Sequence, residues 1–274
     1  MKQTLSAWVR LPVMFVALLA VDLLAGLVVP PLGGVPVLGL IVGLVAGFLA
    51  LLAYRGLVRW LEHRSLDELA RQDARNGLGR GLLLGLTMFV VTLAVIALFG
   101  GYQIVGWGSF FGALNTAGLM WSAAVCEELL FRGALFRILE EKTGTYGAIV
   151  VSGLVFGGLH ILNPDATVWG ALAIAVEAGL LFGAMYAATR SLWLPIGVHM
   201  AWNLAEGGIF GTVVSGSGAG QASLVNAVTS GPEILTGGQF GPEASIVAIL
   251  VCGVPTVLFL RLARKRGRIL KRGA

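Results

Sequence analysis

Apolar runs long enough to cross a bilayer recur about eight times along this chain, and its 19 lysines and arginines fall in alternate gaps between them. The runs are Leu11–Val29, Val35–Ala53, Gly81–Phe99, a stretch from Phe110 towards Glu141, Tyr146–Leu162, Val168–Ala188, Leu192–Phe210 and Ala244–Leu260. The cations are Lys2 and Arg10, six arginines between 55 and 80, then Arg132, Arg137 and Lys142, then Arg190, and seven between 261 and 272. Basic residues mark the cytoplasmic side of membrane proteins. The pattern therefore predicts an even number of spans with both termini cytoplasmic. Arg132 counts as leaning inward from its span.

Composition agrees. Of 274 residues, 57% are hydrophobic and 12% charged, with a mean hydropathy of +0.88, whereas soluble domains carry roughly 25% charge. The chain reads as an all-α, polytopic membrane protein, a single membrane domain over residues 1–274. A net charge of +5 is explained by the membrane, not by nucleic acid. Cys126 and Cys252 sit in apolar segments, which argues against a disulfide framework. The first run is long for a signal-peptide core and reads as a retained anchor. Pro30-Pro31-Leu32-Gly33-Gly34 predicts a tight turn. Ser65-Leu66-Asp67-Glu68 has the form of a capping box, predicting a short surface helix over about 65–76. Gly144 predicts the end of the fourth helix. Residues 212–243, rich in Gly and Ser and without a basic residue, read as a long extracytoplasmic loop.

Ionisable side chains within the spans are few, and such groups are costly unless paired or set in a wet cavity. Glu128 and Arg132, four apart, can meet on one helix face as a buried supporting pair. That leaves Glu127, rotated by about 100°, to face something else. His160 follows Phe156 by one turn in the fifth span, and His199 precedes Asn203 by one turn in the seventh. At about 1.5 Å per residue, Glu127 and His160 lie roughly 20 Å, and His199 roughly 13 Å, from the inner ends of their helices. The three levels are comparable, so one shared site is the economical reading. Glu177 and Asp22 are further intramembrane carboxyls without an obvious partner. Cys126 reads as an inert buried thiol, His63 as solvated, and the glycines as helix-packing positions.

A carboxylate and an imidazole around one water make that water a nucleophile. His199 and Asn203 would then donate hydrogen bonds to the oxyanion of a tetrahedral intermediate. Alternatively Glu127, His160 and His199 supply the two-His, one-Glu ligand set of a catalytic zinc, with Asn203 outside it. The residues leave both open.

Glu127-Glu128-x-x-x-Arg132, Phe156-x-x-x-His160 and His199-x-x-x-Asn203, in this order on separate spans, resemble the motifs of the CPBP family. That family holds the type II CAAX prenyl endopeptidases and bacteriocin-processing enzymes, also called the Abi group. Gly158-Leu159-His160 leading to Asn163-Pro164, and Thr189–Pro195 ahead of His199, add to the likeness. It covers roughly 118–210; residues 1–100 and 211–274 are similar only as hydrophobic spans. The resemblance implies an eight-helix membrane fold with its site in a cavity. It implies Glu127 and His160 as water activators, His199 and Asn203 as oxyanion or metal groups, and Glu128 and Arg132 as supports, with zinc left open. The implied substrate is a membrane-associated protein or peptide, and the implied location a bacterial plasma membrane. Two readings from other classes stand beside it. One is a proton-coupled transporter using the same Glu and His groups as a relay; the other is a non-catalytic immunity or scaffold protein.

Overall fold

The computed structural model describes residues 5–218 and 222–272 and is an all-α polytopic membrane fold. Its elements are α1 (Ala7–Val28), α2 (Leu38–Leu61), α3 (Arg71–Leu98), β1 (Tyr102–Trp107), α4 (Phe110–Glu128), α5 (Arg137–Leu159), α6 (Val168–Ile174), α7 (Leu181–Thr189), α8 (Trp193–Asn203), β2 (Val225–Thr229), α9 (Glu233–Thr236) and α10 (Ile246–Lys265). Wide π-helical turns at Leu129–Phe136, Ala175–Leu180 and Leu204–Ile209 join α4 to α5, join α6 to α7, and extend α8.

Six helical stretches among the described residues are long and apolar enough to cross a membrane. The longest, Phe110–Leu162, is broken at Gly144, whose φ of 72° and ψ of 173° no continuing helix adopts. That break makes it two passages. Trp193–Ile209 adds another, shorter one, giving the eight that the apolar runs imply.

Two seams of glycine bring the site-bearing helices close. A Cβ on Gly43 of α2 would stand 2.1 Å from the Gly118 carbonyl of α4, and one on Gly85 of α3 would stand 2.3 Å from the Val198 carbonyl of α8. Between helices in lipid there is little hydrophobic drive, so such contacts supply the packing. They fix the positions of the helices that carry Glu127 and His199.

One end of the bundle is an ion-pair lattice. Glu62 receives Arg10 (2.7 Å), Arg64 (2.8 Å) and Arg137 (2.7 Å), and Arg10 also reaches Glu141 (2.6 Å). Glu68 holds Arg64 (2.6 Å) and accepts the Tyr54 hydroxyl (2.6 Å). Glu140 pairs with Arg190 and accepts the Thr145 hydroxyl (2.6 Å); Arg190 also donates to the Arg268 carbonyl (2.8 Å). Burial alone would raise the Glu62 carboxyl, but Arg137 and Arg64 outweigh it and hold it below its ordinary value. Glu68 is likewise lowered, burial being outweighed by Arg64 and the Tyr54 hydrogen bond. The lattice ties together the start of α1, the end of α2, the start of α5 and the tail after α10.

Two expectations need correction. No separate surface helix occupies 65–76. A single 3-10 turn, Asp67–Leu69, leads into α3, whose first turns carry the polar residues from Arg71 onward. Glu68 is engaged by Arg64 and Tyr54, so the expected box does not cap a helix. The 212–243 segment is not plain loop either. Its β2 pairs antiparallel with β1, Tyr102 opposite Thr229 and Trp107 opposite Val225, before α9 and a short 3-10 turn at Pro242–Ala244; residues 219–221 lie outside the described residues.

Candidate active site

At the end of α4 the helix passes straight into the π-helical turn, and Glu128 and Arg132 pair across it. The Arg132 Nη1 donates to Glu128 Oε1 at 2.9 Å, and both side chains are 0% exposed. Arg132 Nη2 reaches the carbonyls of Ala178 (3.3 Å) and Gly179 (3.4 Å), inside the wide turn between α6 and α7. The Phe156 and Phe182 rings face its guanidinium at 4.7 and 4.9 Å. Such a buried cation is held by charge, backbone dipoles and ring faces together.

Glu128 Oε1 also takes a hydrogen bond from His199 Nδ1, at 3.1 Å. A carboxylate only accepts, so Nδ1 carries the proton and the ring is oriented by its second nitrogen's neighbour. Phe182 stacks on that ring, with centroids 5.2 Å apart. The other nitrogen, Nε2, lies 3.9 Å from Glu127 Oε2. That gap exceeds a direct hydrogen bond. Glu127 keeps 20% of its side chain exposed, and its Oε2 has no hydrogen-bond partner. Glu127 and Glu128 thus face different ways, as their spacing implies.

His160 closes α5 and donates from Nδ1 to the Phe156 carbonyl at 2.8 Å, leaving Nε2 as its acceptor nitrogen. The Phe156 ring lies beside both imidazoles, 4.8 Å from His160 and 6.1 Å from His199. Glu127, His160, His199 and Asn203 all line one cavity of about 590 Å³. Asp22 of α1 and Glu177 of the α6–α7 turn line it too. Cys126 is buried in the core beside Glu127. His63 is exposed, outside the cavity.

Both histidines donate one ring N–H to a fixed acceptor, which is how metal-binding imidazoles are commonly oriented. Yet among the described residues no three His, Cys, Asp or Glu side chains are gathered closely enough to hold a metal ion. Glu127, His160 and His199 therefore do not fit zinc as they stand, since its ligands converge to about 2.0–2.2 Å.

Glu206 and Glu243 carry no motif signal. Glu206 follows Asn203 in the wide turn after α8 and is fully buried; Glu243 precedes α10, is 3% exposed, lines the cavity and accepts the Ser215 hydroxyl at 2.5 Å. The one available clue was Glu206 interrupting an otherwise uncharged stretch from Ser191 to Pro232.

Comparison with known proteins covers the same segment. The family model for type II CAAX prenyl endopeptidases, Rce1-like, matches residues 109–205. The Bacillus subtilis (strain 168) protein named "Putative membrane peptidase YdiL" is 32% identical over 79 residues, 29% of this chain and 30% of that protein's length. No solved structure matches. Residues 109–205, the segment similar to the type II CAAX prenyl endopeptidases, contain Glu127, Glu128, Arg132, His160, His199 and Asn203.

Proposed function

We propose that the protein is an intramembrane endopeptidase that hydrolyses a peptide bond in a membrane-tethered protein or peptide, using water activated by Glu127 and His160. The observation that carries this reading is the convergence of Glu127, His160, His199 and Asn203, from three helical segments, on one cavity. Water between Glu127 and the acceptor nitrogen of His160 attacks the carbonyl carbon and gives its proton to Glu127. The resulting oxyanion takes hydrogen bonds from His199 and the Asn203 amide. His199 is suited to this because Glu128 holds Nδ1 and Glu127 faces Nε2, an arrangement that stabilises a ring donating at both nitrogens. Collapse of the intermediate breaks the C–N bond, and the leaving nitrogen receives the proton stored on Glu127. Arg132 pairs with Glu128, and Glu128 in turn holds the His199 ring. No step here runs through a metal. We assign the end bearing the ion-pair lattice to the cytoplasmic side of the membrane, because basic residues mark that side.

The test uses purified detergent-solubilised protein and a lipid-tethered fluorogenic peptide. Glu127→Gln and His160→Ala should each lower kcat by about 10²–10⁴, the usual worth of a general base. The thermal unfolding midpoint should remain near wild type. Cleavage that survives both substitutions would remove the reading.

A further inference from the structure

The cavity has a closed end and an open one. None of the residues that form the ion-pair lattice lines it. Between lattice and site lie Tyr54, Val58, Leu129, Phe136 and Ile138, none more than 1% exposed. The Tyr54 hydroxyl bridges the two regions, donating to Glu68 at 2.6 Å and to the Gly133 carbonyl at 2.9 Å. Packing of this density leaves no passage for an extended chain. At the opposite end the lining passes to Leu23, Gly26 and Pro30 of α1 and its turn, to Leu162 and Asn163 after α5, and to Ser217. Leu162 is 78% and Leu23 59% exposed. His160 stands only three residues before Asn163, at the end of α5 away from the lattice.

The packing of α1 shows why a mouth lies there. Its buried residues, Ala7, Arg10, Met14 and Leu18, all fall towards the lattice, and none from Leu19 to Val28 is buried. A Cβ on Gly26 would meet nothing within 4 Å. The facing rim is held by backbone instead. Asn163 Nδ2 donates to the Ser215 carbonyl at 2.6 Å, the Asp165 amide to the Gly216 carbonyl at 3.0 Å, and the Gly216 amide to the Phe240 carbonyl at 2.7 Å. One side of the mouth is thus apolar and sparsely packed, and the other polar and braced.

We infer that substrate enters through this mouth, from the end of the bundle opposite the lattice, as the extended segment directly flanking a membrane anchor. This rests on the endopeptidase reading and deepens it by naming the face of entry and the kind of segment. The segment's apolar side chains lie against Leu23, Pro30, Leu162 and the surrounding lipid. Its peptide groups need polar partners, which hydrocarbon lacks and the rim from Asn163 to Ser217 supplies. With the lattice on the cytoplasmic side, the bond cleaved belongs to the outer stem of an exported, anchored protein or peptide. A tail anchored at the lattice face meets ion pairs and packed core instead.

The experiment uses the full chain in sealed right-side-out and inside-out vesicles, in a Cys126→Ala/Cys252→Ala background. An impermeant thiol reagent acting on Lys271→Cys, in the exposed tail, reports which face bears the lattice. A fluorogenic peptide on an acyl chain that does not cross the bilayer is supplied to one face at a time. Cleavage should come from the face where Lys271→Cys is protected, and Glu127→Gln should remove it. Gly26→Trp, which narrows the mouth from a position with room for a side chain, should lower kcat/KM by about tenfold or more. Leu162→Trp is the second variant should the first fail to fold. Leu83→Trp, at a lipid-facing position of α3 away from the cavity, should leave turnover and unfolding midpoint unchanged.

Equal or faster cleavage from the lattice face, or wild-type turnover in both mouth variants, overturns the inference. Labelling of Lys271→Cys in right-side-out vesicles overturns the assignment to an outer stem. If no peptide is cleaved from either face or in detergent, the endopeptidase reading fails instead. Entry is then decided by Ala123→Cys, on the cavity wall one turn before Glu127. Labelling of that thiol from the face opposite Lys271 alone upholds the mouth, and any other pattern overturns it.

Discussion

The bundle has two acidic regions, and they handle charge in opposite ways. At the lattice end Glu62, Glu68 and Glu140 are each met by arginine, and the pairs interlock elements far apart in sequence. Around the cavity Glu177 and Glu243 are buried without an arginine, and Glu128, which is not among the lining residues, has Arg132 as its own. The difference separates charge that assembles the molecule from charge held ready for something that arrives. A buried polar group satisfied on all sides contributes to one rigid arrangement. One left unsatisfied costs stability, and that cost is the mark of a working site.

The contrast breaks hardest at the junction of the two modes, the Glu128–Arg132 pair. Arg132→Ala leaves Glu128 buried beside His199 without its cation, which should cost about 3–5 kcal/mol and abolish cleavage. Chemical unfolding in detergent, read beside turnover, checks both losses. A variant that unfolds like wild type would show that the pair does not organise the site. Next comes Glu62→Gln, which breaks contacts to three arginines. A loss of roughly 1–3 kcal/mol is expected, with turnover per folded molecule preserved.

The same region carries a pH signature. Glu62 and Glu68 are lowered in the folded protein, so the stability they contribute is present above their ordinary value of 4.5. It drains away as pH falls below that value, through the lowered folded one. Unfolding midpoints measured between pH 7 and 3 should drop for wild type and flatten in Glu62→Gln. The smallest effect belongs to Arg264, whose contact with the Tyr146 hydroxyl is exposed. Arg264→Gln should change stability by less than about 0.5 kcal/mol, and a larger change would mean the lattice extends further than its buried members.

Much of this arrangement is readable in the order of residues. Apolar run lengths give the eight passages, Gly144 gives the break, and four-residue spacing gives the Glu128–Arg132 contact. The divergence of Glu127 from Glu128 follows from helical rotation alone. The wide turns do not announce themselves, because Leu129–Phe136 is an ordinary helix-forming run whose winding is set by tertiary contacts. Pairing of β1 with β2 was hidden by more than a hundred intervening residues. The misplaced surface helix shows a local signal overruled, since Glu68 finds stronger partners in Arg64 and Tyr54 than in a helix start. Glu206 and Glu243 escaped notice because neither belongs to a spaced motif, and only folding sets them side by side.

The three wide turns follow directly after Glu128, enclose Glu177, and follow directly after Asn203. Each accommodates a surplus residue relative to ordinary winding, so the side chains beyond it are indexed to that surplus. Losing a single codon between Glu128 and Arg132, within the first, would re-register that pair while leaving both residues in the gene. A relative could thus be silenced without any signature letter changing, and gaps of one position at these three places are where such silent members would betray themselves.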